Sequence, residues 1–254
     1  MRKRTRYDLI VRNDLSELLR GALERPERSL AVGVIHEGLK SMKQRGAYKV
    51  SVSKIIRALP PPERKGYHEK ELLFELRASN LFSVNIEGDE GGEGKEGDEI
   101  ELELNQSCRG DLDFIITRLE RYRKALGSMS ITGGGSTIEG QIKKGAVLFN
   151  ASLYFECHEY LEDTWRGEAG NAKSFIKAII HAAVGMYHYE HENTRGLLSY
   201  LRRARRALEP FKPHYLGIDV KSLINELEGF ERLIAEGAEQ NKFANARPPV
   251  IRAG

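Results

Sequence analysis

Cysteine is nearly absent from this chain of 254 residues: Cys108 and Cys157 stand far apart, outside any paired spacing. That excludes a zinc ribbon and a disulfide framework as organising devices. Long apolar runs are absent too, since none approaches the roughly 20 residues of a membrane span. The opening MRKRTRYDLI lacks the apolar core of a secretory signal. The expectation is a cytoplasmic protein with no membrane partner. Excess charge of one sign is also lacking, and a net charge of +3 is too small to imply nucleic acid by itself.

Charge of both signs is abundant, at 30% of residues against 40% hydrophobic, which suits a heavily charged soluble surface. It is unevenly spread. Residues 1–60 carry 14 Lys/Arg against 6 Asp/Glu, and residues 61–105 carry 5 against 13. The length allows one large domain or two ordinary ones, each with a genuine core.

Residues 1–126 read as mixed helix and strand. RYDLIVRN alternates as a short strand, and Asp14 with Glu17 gives a capping-box start to LSELLRGALE. A helix over SLAVGVIHEGLKSMKQRG ends at Gly46, and the short strand AYKVSVS leads into SKIIRAL, which Pro60 to Pro62 terminate. HEKELLFELRASN is a further helix, and LFSVNIE and EIELELN are strands joined by the Gly-rich, acidic GDEGGEGKEGD, expected to be a mobile hairpin loop. This order resembles a winged helix-turn-helix over about residues 28–106, with Tyr67–Asn80 as its third helix. The resemblance implies DNA as a partner through that helix. Asp89, Glu90, Glu93, Glu96 and Asp98 at the wing tip oppose phosphate contact, so a protein-interaction or dimerisation module weighs equally; the basic start favours DNA.

DFIITRLERYRKAL follows as a helix, and the Gly/Ser/Thr-rich stretch over 127–140 is read as a flexible linker. Residues 141–241 then form an all-helical domain, and 242–254 an irregular tail. The fold class expected is an α+β winged-helix-like domain followed by an all-α helical bundle. AKSFIKAIIHAAVGMYHYEHE is its central helix, apolar nearly all round, and Asp219 caps the last helix.

The helix through LYFECHEYLEDTWRG is the anomaly. At 100° per residue His158 and Glu162 fall on the stripe of Tyr154, Phe155, Leu161 and Trp165, where a carboxylate needs a partner, a proton or a metal. Four residues apart, the two can present ligands to one metal, with His181 or His188 of the central helix completing a shell. HEYLE also looks like a zincin HExxH with Glu162 in place of the second His, in which case Glu159 activates a water. The bland alternative is a polar knot in which these residues hydrogen-bond to each other and fix helix packing. Trp165 alone reads as core.

FNASLYFECHEYLEDTWR, followed by AIIHAAVGMYHYEHENTRGLLSYLRRARRALEPF and LGID, closely resembles the family called domain of unknown function 309. Its His-x3-Glu-x2-Trp motif is matched by His158, Glu162 and Trp165, and the likeness runs from about Gly145 to Ala235. The resemblance implies a small all-helical fold and a metal site, with no established reaction. Phe149, Asn150, Phe155, Glu156, Glu159, His188, Asn193 and Gly196 fall on its recurring pattern, and His181 stands where the family has Gln.

The reading preferred from sequence is a divalent-metal site of zinc, manganese or nickel. His158, Glu162, His181 and His188 are its ligands, Glu159 or Glu156 is the base, and metal-assisted hydrolysis is the natural reaction. The competing reading is a non-catalytic winged-helix regulator or interaction protein. Its helical domain senses a ligand or forms a homo-oligomer, and the His/Glu cluster is a structural polar network.

Overall fold

The opening stretch is a helix where the sequence suggested a strand. In the computed structural model α1 spans Arg6–Glu24, with Val11, Leu15, Leu18 and Ala22 buried along one stripe. The alternation in RYDLIVRN covers two turns at most, and the helical stripe beyond it decides the outcome. Asp14 therefore lies inside α1 and does not cap it. Its carboxylate accepts a 3.4 Å bond from Asn80 Nδ2, and burial raises its pKa.

The structure describes residues 6–25, 28–60, 69–86, 99–132, 136–238 and 246–254. The chain divides into two compact units, Met1–Leu126 and Gly127–Gly254. Expectations about the basic start up to residue 5, the start of the third helix at Tyr67 and His68, the loop over 87–98 and the tail over 239–245 lie outside the described residues.

In the first unit α2 (Ser29–Arg45) ends at Gly46 in a left-handed cap, φ 62°, as the sequence suggested. It is followed by β1 (Lys49–Ser51), α3 (Val52–Ala58), α4 (Glu69–Ala78), β2 (Phe82–Ile86) and β3 (Ile100–Leu104). The sheet is antiparallel with order β1-β3-β2, and Leu102 is paired with Val50 on one side and Val84 on the other. β3 alternates as a half-buried strand should: Ile100, Leu102 and Leu104 are buried while Glu101 and Glu103 face outward to Lys49, at 3.1 and 3.5 Å. Ile35, Leu39, Met42, Ile55, Leu72 and Leu76 close the core beneath the sheet.

α5 (Leu112–Thr132) continues through the first six residues of the stretch read as linker, and α6 begins at Ile138 inside it. Ser, Thr and Gly did not stop α5 because Ile115, Leu119, Tyr122, Ala125 and Met129 give it a buried stripe that persists past the composition change. Thr137 supplies the N-cap of α6, accepting a 3.1 Å bond from the Gly140 amide.

The second unit is helical: α6 (Ile138–Asn150), α7 (Tyr154–Gly167), α8 (Gly170–Glu190), α9 (Thr194–Leu208) and α10 (Val220–Ala238). α8 is its centre, with Phe175, Ile176, Ile179, Ala182, Ala183 and Met186 buried. Leu197, Leu201, Ala204 and Leu208 of α9 and Val220, Leu223, Leu227, Phe230 and Ile234 of α10 turn inward as the periodicity indicated. Asp219 caps α10 through the Ser222 amide at 2.8 Å. A two-residue hairpin, β4 (His214–Tyr215) with β5 (Ile218–Asp219), turns through Leu216 and Gly217, both at positive φ, and adds a short sheet that the helical pattern did not announce.

The described tail, 246–254, has no helix, but it is tied down. Ala253 bridges to Ile218, and Ile251 is buried at 3% exposure.

Candidate functional site

The motif residues of α7 form a row along one helix flank. His158 Nδ1 lies 3.0 Å from Glu159 Oε1, and His158 Nε2 lies 3.2 Å from Glu162 Oε1. The other oxygen of Glu162 takes a 3.1 Å bond from Arg166, which also donates to Asp163 at 2.7 Å. Neighbours three and four apart on a helix meet in this way, which accounts for the Glu162 and Arg166 contacts, while Glu159 reaches His158 as its adjacent residue. The two carboxylates sit at opposite edges of the imidazole and do not share a point with it. His158 and Glu162 are half-buried, at 25% and 35% exposure, so the stripe expected to enter the core carries them at its rim.

Glu156 is the buried acid of this helix, at 3% exposure. Next to it burial, and then the Glu156 charge, push the Cys157 thiol well above its ordinary value. It stays a thiol and contacts the Gly145 carbonyl oxygen at 3.3 Å. The missing side chain at Gly145 makes room for Leu161, which a Cβ there would meet at 2.7 Å. Trp165 is partly covered, with Lys173 Nζ 4.4 Å above its ring and its Nε1 buried without a hydrogen-bond partner.

The α8–α9 junction brings His188, Asn193 and Gly196 together. Asn193 Oδ1 accepts a 2.9 Å bond from the Gly196 amide and caps α9. That orientation leaves Asn193 Nδ2 to donate to His188 Nδ1 at 3.1 Å. The lone pair at Nδ1 is thereby occupied and the ring proton sits on Nε2. A Cβ on residue 196 would meet the His188 ring at 2.7 Å, so only glycine lets the ring lie there.

His181, two turns earlier on α8, meets the Tyr200 ring at 5.8 Å, and His188 meets the same ring at 5.5 Å. Its Nδ1 is buried without a partner, and burial, then Lys177 and Arg203, lower its pKa. Asn150 serves neither helix. Its amide bonds both backbone groups of Ile251, each at 2.8 Å, and so clamps the tail.

The sequence candidates thus fall into separate groups. His158, Glu159 and Glu162 stand together on α7, His181 and His188 flank Tyr200, His188 is joined to Asn193, and Asn150 holds the C-terminal segment. Among the described residues no three His, Cys, Asp or Glu side chains form a group that could hold a metal ion. The α7 carboxylates approach opposite edges of His158, Asn193 donates to Nδ1 of His188, and Lys177 and Arg203 are the charges that act on His181. Sequence reasoning missed Lys177, Tyr200 and Arg203. The signal for Lys177 was its place one turn before His181, and for Arg203 the run RRARR next to an aromatic residue.

Residues 142–200 match the model of a family described as Domain of unknown function (DUF309). A stretch of 57 residues, 22% of this chain, is 35% identical to Uncharacterized protein YpuF of Bacillus subtilis (strain 168). The chain thus matches only 33% of that protein's length. The family match runs from within α6 to the middle of α9, the segment holding the His158 row and the His188–Asn193–Gly196 junction.

Proposed function

We propose that this is a non-catalytic interaction protein in which a winged-helix-like unit contacts a protein partner and the helical unit is organised by a polar network. The observation that carries this reading is the commitment of the motif side chains to one another: His158 to Glu159 and Glu162, Glu162 to Arg166, and His188 to the cap of α9. A hydrolytic site needs an open coordination position and a free base, and these residues supply neither in their present pairing.

The order α2-β1-α3-α4-β2-β3 with sheet order β1-β3-β2 supports the winged-helix reading of the first unit. α4, at the recognition-helix position, presents Phe74 at 64% exposure beside exposed Lys70 and Glu71. An aromatic residue flanked by mixed charge suits a protein surface better than a phosphate backbone. DNA is the second reading, favoured by exposed Lys54 and Arg57 on α3 and Lys70 on α4, which have no carboxylate partner among the described residues.

Elemental analysis of the purified protein, with zinc, manganese and nickel titrations, tests the first reading. The expected result is no stoichiometric metal and no metal-dependent rise in thermal stability. Tight binding of one equivalent that His158→Ala or Glu162→Ala abolishes would restore the metal-hydrolase reading. Binding to random duplex that weakens steeply with salt would favour DNA over a protein partner, because neutralising several phosphates releases counterions.

A further inference from the structure

Four of the nine arginines in residues 127–254 are matched with carboxylates. Arg166 is paired with Glu162 and Asp163, Arg202 and Arg205 with Glu231, and Arg252 with Glu226. Among the cations outside these pairs, two are placed by α8 and α9 near His181 and Tyr200. Lys177 stands one turn before His181 on α8, and the Arg203 guanidinium lies 5.2 Å from the centroid of the Tyr200 ring on α9. The same Tyr200 ring holds His181 edge-on. Among the described residues neither Lys177 nor Arg203 has a carboxylate within ion-pair distance.

His181 is the second, independent observation. Its Nδ1 is buried and unbonded, so the ring is positioned by Tyr200 rather than by hydrogen bonds. Nε2 makes no hydrogen bond within the described residues either, and it is the ring's free polar atom. The charges acting on the ring are Lys177 from its own helix and Arg203 from α9, and both disfavour a further positive charge. Two cations beside an imidazole repel a metal ion and attract an oxyanion. The residue that stood in the sequence as a metal ligand is thus matched in charge to an anion.

We propose that Lys177, His181 and Arg203 form an oxyanion site on the α8–α9 face that takes a phosphoryl group. A phosphoryl group fits better than a single carboxylate because its oxygens can serve an ammonium, a guanidinium fork and an imidazole N–H together, and its charge matches two cations. Tyr200 is a positioning residue that sets the distance between His181 and Arg203. The inference extends the non-catalytic reading of the helical unit and rests on it in one respect, that His181 is no metal ligand.

The test is titration of the full chain with inorganic phosphate, followed by calorimetry and by the His181 ring resonances. Saturable binding that moves those resonances is expected, with Lys177→Ala and Arg203→Ala each weakening it about tenfold, the loss of one charge-assisted bond. Both positions are on the surface of their helices, and circular dichroism of the variants should match the parent. Adenosine monophosphate and random duplex DNA, titrated separately, identify the source: a small phosphomonoester if the nucleotide binds through these residues, a nucleic-acid backbone if only the duplex does. Binding of none of the three, or binding indifferent to both substitutions, overturns the proposal. Zinc in phosphate-free buffer is the separating arm. A His181 response to zinc overturns the anion site together with the non-catalytic reading, whereas silence to zinc and to all three anions removes the anion site alone.

Discussion

Asn193 has two tasks that pull in the same direction: one oxygen caps α9, and one amide nitrogen sets the tautomer of His188. Asn193→Ala should cost about 1–2 kcal/mol, the upper range for a lost cap, because the His188 ring loses its partner in the same step. Thermal denaturation would show it, and Asn193→Asp, which keeps the cap and removes the donor, should recover only part of the loss. His36 makes a different prediction at the same scale. Arg123 Nη1 lies 3.0 Å from His36 Nδ1, the arginine can only donate, and Nε2 is left buried without a partner. Burial, then Arg123, lowers its pKa. A histidine depressed in the folded state binds fewer protons there than in the unfolded chain, so stability is fully present above its ordinary value near 6.5 and falls as pH drops from there toward the folded value. Urea denaturation across that window should show the decline, and His36→Gln should remove part of the slope.

At the scale of elements, the α7 row is more a consequence of helical spacing than a source of stability. Its members are about a third exposed, so His158→Ala should cost less than about 1 kcal/mol. A loss of several kcal/mol in chemical denaturation would contradict this account. The Asn150 clamp should matter more. Asn150→Ala leaves both backbone groups of Ile251 without their partner, for about 1–3 kcal/mol, and amide exchange should quicken at Ile251 and at Asp219, whose amide is bonded to Arg252. Helices with a sustained apolar stripe were legible in the sequence: α8, α9 and α10 follow it, as does the Asp219 cap. α1 was misread because two turns of alternation preceded the stripe, and α5 because a change of composition was taken for a change of structure. The site was legible only where contacts are local. His158 with Glu159 and Glu162 is set by spacing on one helix, whereas the Tyr200 ring between His181 and His188, and the 101-residue reach from Asn150 to Ile251, depend on tertiary folding that no periodicity encodes.

For the whole molecule the division into Met1–Leu126 and Gly127–Gly254 means two hydrophobic cores, each described by its own set of buried leucines. Leu76 and Leu201 are both at 0% exposure, one in each. Leu76→Ala should destabilise its own unit by about 2–5 kcal/mol. Hydrogen exchange should locate that loss in Met1–Leu126 and leave amides of α8 and α9 near their parent rates, with Leu201→Ala giving the reverse pattern. His36 is enclosed in the first core and His188 is locked to a helix cap in the second, among only seven histidines in the chain. Their ring signals form a pair of independent thermometers: a spectrum recorded while the protein is heated would register the melting of each unit separately, with no added label.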